Sequence, residues 1–361
     1  MFEVLNQSLH FNGVVTGKHI ADIREKIATA ALASNTALWN LSCQEARWVQ
    51  LSTSQSPPPS ARDGASLVVA NGAEAYLFGG RGDGPIRLGD FWKLTVQADD
   101  QARWTQITPM IGTPPSPRQN HVSVWTGSSR NSILIFSGYD LPTYDSEGMN
   151  DLHEFTLDTS TWSELIPNGA AGSPAKRLLA SAIWVPGRGM LMHGGLDYSA
   201  NYHRFADLWE FSFSQSQTGS WSLLEDDVPS GRRSEHAAVW ASNLGSGGKM
   251  LIYGGNNRDG TSIYAITGST WAYDPNVAGG QWVELDYGAS RSPTSAAWSP
   301  TRRSMRVFGG RDLADEQNDV REWSSDGGWK LVDYLSGTDP PKRRFHSTVW
   351  MAREDGSEAG S

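Results

Sequence analysis

Six arginines and three histidines have the types and the spacing that could support chemistry. Each arginine follows a turn rich in proline, serine or glycine: Arg62, Arg118, Arg177, Arg233, Arg291 and Arg343. His121, His236 and His346 lie three residues after alternate arginines. Three histidines are a known zinc-binding set. No carboxylate pair or His-Glu motif accompanies them, so we expect each imidazole to form hydrogen bonds within its own structural unit.

Other catalytic patterns are weak. Gly80–Gly84 is rich in glycine, but no helix follows it that could hold a phosphate. Ser324–Trp329 matches a sialidase Asp-box only in part, and a hairpin turn explains it better. No nucleophile lies beside a base in the sequence. We therefore predict no catalytic residue, no metal, no cofactor and no enzyme activity.

The elements that position these residues come from a long repeat. Tyr76-Leu77-Phe78-Gly79-Gly80 is an apolar run that ends in two glycines, and similar runs return at intervals of 55 to 60 residues. The second glycines of the five runs are Gly80, Gly138, Gly195, Gly255 and Gly310. A fixed period of this length indicates a repeat architecture. Each run is predicted to be a buried strand that ends where a side chain is not tolerated.

Tryptophans mark the other strands of each repeat. Strand a starts after the arginine, strand b is the apolar run, strand c starts near an Asp-apolar-Trp motif, and strand d opens with a tryptophan. All 16 tryptophans fall into strands a, c or d under this assignment. Each repeat is therefore predicted to be a four-stranded antiparallel meander. Stacking such sheets around an axis gives a β-propeller, which leaves only short strand edges exposed.

The ends of the chain predict how the ring closes. Leu38–Leu51 supplies strands c and d, whereas Arg343–Met351 supplies strand a. We therefore predict an all-β, six-bladed propeller of four-stranded blades, closed by pairing of the N- and C-terminal strands. Strand b of the shared blade is either Phe11–Gly17 or absent. Ile20, Ile23, Ile27 and Ala31 have helical spacing, which predicts a short helix over Ala21–Ala33.

These elements divide the chain into three parts: an N-terminal extension (1–36), the propeller (37–352) and a disordered tail (353–361). The formal net charge of −9 has no long runs, so we expect neither nucleic acid nor a membrane as partner. We find no pattern of a signal peptide or a membrane-spanning segment. We expect a cytoplasmic protein, with the nucleus as the alternative. Cys43 is the single cysteine, so an internal disulfide is impossible.

The sequence resembles the kelch repeat family. The resemblance rests on Gly-Gly after an apolar strand, on the downstream tryptophan, and on Arg-x-x-His before strand a, as in Arg118 to His121. Two repeats depart from the pattern, with Ser137-Gly138 and His153 in one and Arg321 in another. The resemblance implies a propeller that binds another protein, often through an acidic or peptide-like segment, on one face of the disc.

The b–c loops and the d–a turns should share that face, because strands of a meander alternate in direction. We predict that this face binds the partner, with arginine as an anchor for carboxylates. In the alternative, each arginine pairs with the aspartate that follows the glycines and ties the loops together. The candidate residues are Arg62, Arg81, Arg118, Tyr139, Asp140, Tyr144, Arg177, Asp197, Tyr198, Tyr202, Arg233, Asn257, Arg258, Arg291, Arg311, Asp312 and Arg343.

The predicted function is a protein-interaction module that acts as a scaffold or adaptor. The alternative is a sugar-active enzyme similar to galactose oxidase or to sialic-acid mutarotases, with a pocket at the mouth of the central channel. Converging His, Glu and Tyr side chains at that mouth would favour the enzyme. A rim of Arg, Asp and aromatic side chains would favour the partner, because the fold alone does not choose.

Overall fold

The regular structure of the chain consists of β-strands. A computed structural model describes residues 26–30, 38–42, 47–53, 56–72, 74–97, 101–108, 110–140, 148–199, 202–215, 218–257, 265–333 and 339–351. No helix occurs in these ranges. The described residues accordingly contain no helix of the length and apolar character that a membrane crossing needs.

The first half of the described chain contains 18 strands. They are β1 (Lys26–Ala30), β2 (Leu38–Ser42), β3 (Arg47–Leu51), β4 (Ser66–Ala70), β5 (Glu74–Phe78), β6 (Phe91–Val96), β7 (Ala102–Gln106), β8 (Ile111–Gly112), β9 (Val122–Trp125), β10 (Ser132–Phe136), β11 (Leu152–Thr156), β12 (Thr161–Ile166), β13 (Ser181–Val185), β14 (Gly189–His193), β15 (Leu196–Asp197), β16 (His203–Arg204), β17 (Leu208–Phe213) and β18 (Gly219–Glu225).

The second half of the described chain contributes nine more strands. They are β19 (Ala237–Ala241), β20 (Lys249–Tyr253), β21 (Ser269–Asp274), β22 (Gln281–Tyr287), β23 (Ser295–Ser299), β24 (Ser304–Phe308), β25 (Val320–Ser324), β26 (Gly328–Leu331) and β27 (Ser347–Met351).

These strands form antiparallel sheets, which we number in chain order of their innermost strands. Sheet I is β4-β5-β6-β7, sheet II is β9-β10-β11-β12 with β8 added, and sheet III is β13-β14-β17-β18. Sheet IV is β19-β20-β21-β22, sheet V is β23-β24-β25-β26, and sheet VI is β27-β1-β2-β3. β15 and β16 form a separate ribbon. The innermost strands contact one another in the cyclic order β4, β9, β13, β19, β23, β27 and back to β4.

The chain is therefore an all-β propeller with antiparallel four-stranded blades. The prediction of six blades with four strands each is wrong, because five of the described sheets have four strands and sheet II has five. The extra strand, β8, lies parallel to β12 and pairs Ile111 with Thr161 and Gly112 with Trp162. It arises because the d–a linker turns back along the open edge of an outermost strand, where backbone groups are available for pairing.

Strands from both ends of the chain share sheet VI. β27 and β2 both pair with β1, which lies between them as strand b. The predicted helix over Ala21–Ala33 is wrong at Lys26–Ala30, since these residues form β1. Pairing on both sides satisfies the backbone of β1 and outweighs the helical spacing of its apolar residues. The prediction that strand b of this sheet is Phe11–Gly17 or absent is therefore also wrong, because Lys26–Ala30 takes that place. Phe11–Gly17 and the tail 353–361 lie outside the described residues, and the domain boundaries stay predictions.

The predicted strand classes are confirmed by the tryptophans. All 16 lie in strands, and the strand-d residues Trp48, Trp104 and Trp162 are almost fully buried. Trp162 of sheet II packs against Phe78 and Phe91 of sheet I, with ring centroids 5.7 and 5.3 Å apart. Rings of this size fill the space between neighbouring sheets and bury a large apolar area.

The paired glycines let neighbouring sheets approach each other through their backbones. The N–H of Gly80 donates to the carbonyl of Arg118 in the next sheet at 2.8 Å, and that of Gly255 donates to Arg291 at 2.8 Å. Gly255 has φ +93°, and a Cβ there would lie 2.7 Å from both the Ser234 oxygen and the His236 Cβ. A side chain at this position would therefore both strain the backbone and clash with the start of strand a in the same sheet.

Gly255→Val should reduce the free energy of unfolding by about 2–4 kcal/mol, because strain and overpacking add together. The matched control is Gly187→Val, where φ is +75° but no atom lies within 4 Å of the added Cβ. Chemical denaturation measures both. Equal losses in the two variants would show that close packing against Ser234 and His236 contributes nothing.

A chain of residues 52–361 should fail to fold into a stable monomer. It lacks β1, β2 and β3, so β27 would lose its partner strand and leave apolar edges open. Light scattering and a thermal melt distinguish the outcomes. An unchanged melting temperature and a monodisperse monomer would contradict the structural role of sheet VI.

Candidate functional site

The six repeat arginines lie inside the propeller. Each is at most 4% exposed. Four of them donate to both oxygens of the aspartate that precedes strand c. Arg62 binds Asp90 at 2.5 and 2.7 Å, and Arg118 binds Asp151 at 2.8 and 2.7 Å. Arg177 binds Asp207 at 2.7 and 2.8 Å, and Arg291 binds Asp319 at 3.1 and 3.0 Å. The alternative, in which each arginine pairs with an aspartate and ties the loops together, fits these four arginines. The aspartate lies before strand c, however, rather than directly after the glycines.

The same aspartates accept a second donor from strand c. Trp92 Nε1 donates to Asp90 at 2.6 Å, and Trp209 Nε1 donates to Asp207 at 2.7 Å. The two irregular repeats keep a nitrogen at this place. His153 Nε2 lies 3.0 Å from Asp151 Oδ2, and Arg321 Nε lies 2.7 Å from Asp319 Oδ2. The departures from tryptophan therefore preserve the hydrogen bond that orients the carboxylate.

These carboxylates are held in the ionised form. Burial works against the charge of Asp207, but the hydrogen bonds and charge of Arg177 outweigh it and lower the pKa of that carboxyl. The pKa of Asp90 is lowered in the same way, with burial opposed by Arg62. A hydrogen bond from Arg177 to the Gly194 carbonyl, at 2.8 Å, joins the pair to the end of strand b.

Arg233 in sheet IV has no aspartate at this position. Ser269 occupies the position of the aspartate, and its Oγ is 3.3 Å from Arg233. The guanidinium also donates to the carbonyls of Gly254, at 3.2 Å, and Ser230. Within the described residues no carboxylate forms an ion pair with it, and desolvation lowers the pKa of Arg233 to about 10.

The three repeat histidines are buried and form no metal site. His121 Nε2 lies 2.7 Å from Ser66 Oγ, and His236 Nε2 lies 2.5 Å from Ser181 Oγ. Both serines belong to the preceding sheet, so the prediction of bonds within one unit is wrong for these two. Desolvation lowers the pKa of His121 to about 3, which keeps the ring neutral. No group of three or more metal-binding side chains is present in the described part of the chain.

The b–c loops and the d–a turns meet at one end of the strands. In sheets I to IV, the residue after the arginine forms a backbone bridge with the residue after the glycines, as Asp63 does with Arg81 and Gln119 with Tyr139. In sheet V the N–H of Ser292 donates to the Arg311 carbonyl at 2.9 Å. The two loop types therefore lie side by side on the same face.

A cavity of about 310 Å³ opens on this face, and every sheet contributes to its wall. We call it the central pocket. Its lining residues are Asp63, Arg81, Gln119, Asn120, Tyr139, Tyr198, Glu235, Ile266, Ser292, Pro293, Arg311, Arg344 and Phe345.

A series of hydrogen bonds runs around this pocket from sheet to sheet. Backbone N–H groups donate from Gly64 to Phe345, from Asn120 to Gly64, from Leu179 to Asn120 and from Glu235 to Leu179, at 2.8 to 3.2 Å. All five residues have φ between +57° and +63°. Such backbone is unusual outside glycine and indicates a position fixed by its surroundings. The pocket is therefore rigidly framed.

The predicted site residues separate into groups. Arg81, Tyr139, Tyr198 and Arg311 line the central pocket. Farther along the same loops lie Asp140, Asp197, Tyr202, Asn257 and Asp312. The six repeat arginines lie below the surface. Tyr144 and Arg258 fall outside the described residues.

Sequence reasoning missed the residues one and two positions after each arginine. These include Asn120, Glu235 and Phe345, whose side chains face the central pocket. Aligning the repeats on the arginine would have found them. The second position reads Gly64, Asn120, Leu179, Glu235, Pro293 and Phe345 beside a constant arginine. Such variation in a fixed setting is typical of a surface used for recognition.

Known proteins match this chain in sequence. The family model described as the KLHDC2/KLHL20/DRC7 Kelch-repeats domain matches residues 28–244. Kelch domain-containing protein 2 of Bos taurus is 27% identical over 219 residues, covering 56% of this chain and 49% of that protein. Leucine-zipper-like transcriptional regulator 1 homolog of Drosophila melanogaster is 27% identical, covering 67% and 23%. Host cell factor 2 of Homo sapiens is 25% identical, covering 60% and 29%.

Fold and loops together define a β-propeller with a framed pocket on one face. The chain belongs to the kelch-repeat family, because the family model matches more than half of it. The resemblance predicted from the sequence is confirmed. The chain spans about half or less of the length of these curated relatives. Their names denote a kelch domain, a transcriptional regulator and a host cell factor rather than an enzyme activity.

Asp207→Asn should lower the free energy of unfolding at pH 7 by about 3–5 kcal/mol, because it leaves Arg177 buried without its counter-charge. The folded-state pKa of Asp207 is lowered, so its contribution is complete above the unfolded pKa and is lost as the pH falls through the folded pKa. Denaturation at a series of acidic pH values should therefore show wild type and variant converging.

The reciprocal change is Ser269→Asp, which offers Arg233 the carboxylate that Arg177 has. It should raise the free energy of unfolding by roughly 1–3 kcal/mol, the range of hydrogen bonds to charged groups. Loss of stability in Ser269→Asp, or an unaffected Asp207→Asn, would show that these pairs do not stabilise the fold.

Proposed function

We propose that this chain is a protein-interaction module in which the six sheets form one closed ring. The face formed by the b–c loops and the d–a turns, which we call the loop face, binds a partner. The observation that supports this most is the central pocket, since residues from every sheet converge on it. A site to which all the repeats contribute exists only when the whole ring is formed. A joint surface of this kind is what repeat proteins use to bind a partner.

The rim of this face supports the proposal. Ile86, Tyr202 and Leu313 are 58%, 57% and 70% exposed, and they lie on the b–c loops of sheets I, III and V. Tyr139, Tyr198 and Tyr202 are in edge-to-face contact, with centroids 6.2 and 5.4 Å apart, and so connect the pocket with the rim. Exposed apolar and aromatic side chains around a pocket are typical of interaction sites.

The partner that we propose is a protein that presents a peptide-like segment. An acidic segment was expected from the kelch resemblance, with arginine as the anchor, but the six repeat arginines are buried in the blades. What remains at the surface is a mixed set of Arg81, Arg311, Asp140 and Asp312 beside aromatic rings. A mixed set of this kind selects a partner by complementary charges rather than by one net charge.

An enzyme of the sugar-active kind has less support. The central pocket contains Glu235 and two tyrosines, but no histidine is among its described lining residues. The hydroxyl of Tyr139 is 2.7 Å from Gln119 Nε2 and is therefore already engaged. The residues that line the pocket therefore favour a binding role over an enzyme. The cytoplasmic or nuclear location stays a prediction.

Tyr202→Ala and Arg311→Ala should each reduce binding of a protein partner by roughly tenfold or more, as expected for aromatic and arginine contacts at an interface. Partners are first captured by the wild-type chain and identified by mass spectrometry, and then measured individually by biolayer interferometry. Melting temperatures should stay the same, since both side chains belong to loops.

The matched controls lie away from the loop face. Val277→Ala removes an apolar side chain with 44% exposure from the β21–β22 turn, and Arg302→Ala removes an exposed arginine from the β23–β24 hairpin. Binding that is lost in the controls but kept in Tyr202→Ala and Arg311→Ala would place the partner elsewhere and refute the proposed face.

A further inference from the structure

The central pocket contains one carboxylate with an open oxygen. Glu235 lines the pocket, and Ser292 Oγ donates to its Oε2 at 2.6 Å. The other oxygen, Oε1, receives no hydrogen bond from the described residues. Glu235 is half-buried, so this oxygen is open to a group that enters the pocket.

The position of Glu235 is built into the frame of the pocket. Its N–H donates to the Leu179 carbonyl at 2.9 Å, and its φ is +62°. Sheet V continues the series at this point through a side chain, because Pro293 has no N–H to donate and Ser292 Oγ binds Glu235 instead. The carboxylate is therefore held in place rather than free to swing out to solvent.

The arginines of the pocket wall already face acidic groups of their own. Arg81 forms an ion pair with Asp63, and Arg344 forms one with Glu316 at 3.1 Å. Arg311 lies near Asp315, and its charge helps to lower the pKa of that carboxyl after larger effects from Lys342 and a backbone N–H. Glu235 forms no ion pair within the described residues.

The surroundings of Glu235 reduce its contact with water. Burial raises the pKa of Glu235, and the Ser292 hydrogen bond and the more distant charges of Arg204 and Arg344 only partly offset this. Arg204 lies beside the pocket with its Nε 3.1 Å from Ser234 Oγ. A desolvated carboxylate gains more from a cation than a solvated one does.

The aromatic wall can also contact a cation. Tyr139, Tyr198 and Phe345 line the same pocket. The guanidinium groups of Arg87 and Arg344 already lie 4.8 and 5.5 Å from the centroids of Tyr139 and Phe345, so we expect a further cation to contact Tyr198. Cations are attracted to the faces of aromatic rings at such distances.

We propose that the central pocket takes a cationic side chain, an arginine or a lysine, from the partner segment, with Glu235 Oε1 as the counter-charge. Glu235 then acts as a specificity residue: it selects a basic anchor in a pocket whose arginines already face acidic groups of this chain. This inference rests on the proposed docking face, but the pocket can be probed without any partner.

The test uses Nα-acetyl-L-arginine methylamide as the probe and NMR titration of the full chain as the measurement. The matching citrulline compound has the same shape but no charge, and the aspartate compound has the opposite charge. The arginine compound should bind most tightly. Glu235→Gln should weaken it by about tenfold, because a charge-assisted hydrogen bond is lost, and should leave the citrulline compound unchanged.

Glu164→Gln is the matched control, since Glu164 is exposed on the outermost strand β12 and should not matter. In the wild type, binding of the arginine compound should also weaken as the pH drops through the pKa of Glu235, because the carboxylate becomes protonated and loses its charge. This measurement decides the question even if Glu235→Gln fails to fold. Equal binding of the arginine and citrulline compounds, or preference for the aspartate compound, would overturn the inference.

The result is separate from that of the proposed function. If a protein partner depends on Tyr202 and Arg311 but binds equally to wild type and Glu235→Gln, the loop face is correct and the basic anchor is wrong. If binding of the arginine compound depends on Glu235 while partner binding is unchanged in Tyr202→Ala and Arg311→Ala, the pocket chemistry is correct and the proposed docking face is wrong.

Discussion

The buried ion pair between the repeat arginine and the aspartate before strand c is the contact on which the propeller depends most. Arg177 shows why: its guanidinium binds Asp207 and the Gly194 carbonyl within its own sheet, while in sheet II the Gly138 N–H donates to the Arg177 carbonyl at 3.2 Å. One residue thus joins the start of strand a, the end of strand b, the start of strand c and the neighbouring sheet. A buried charge tolerates this position only with its partner in place.

The repeats vary where this network allows it. His153 and Arg321 replace tryptophan but still place a nitrogen beside the aspartate. Ser269 replaces the aspartate itself, and backbone carbonyls take over part of the coordination of Arg233. The network therefore constrains hydrogen-bonding capacity more strongly than residue type, which explains how copies with different residues adopt one backbone.

The proposed binding face depends on the same arrangement. The arginine fixes the turn in which it lies, so the residues directly after it are placed at the pocket with little freedom of their own. Asn120, Glu235 and Phe345 occupy equivalent backbone positions yet differ in charge, size and polarity. Because the backbone hydrogen bonds hold these positions, their side chains can change without disturbing the ring. The residues that stabilise the ring and those that we propose for recognition are therefore adjacent in the chain.

The sequence by itself determined the strands, the repeat, the family and the side of the disc on which the loops lie. These follow from short-range patterns, because apolar runs, glycine pairs and tryptophans recur at a regular spacing. Consecutive strands of a meander run in opposite directions, which fixes the face on which each loop lies. The strand at Lys26–Ala30 was not predictable in this way, because its apolar spacing is helical and only β27 and β2 give it partners. The roles of the arginines were equally hidden, since sequence spacing does not tell a buried ion pair from an exposed anchor. Glu235 became visible only when residues from every sheet were brought together around one pocket, a proximity between residues far apart in the chain that only the tertiary structure creates.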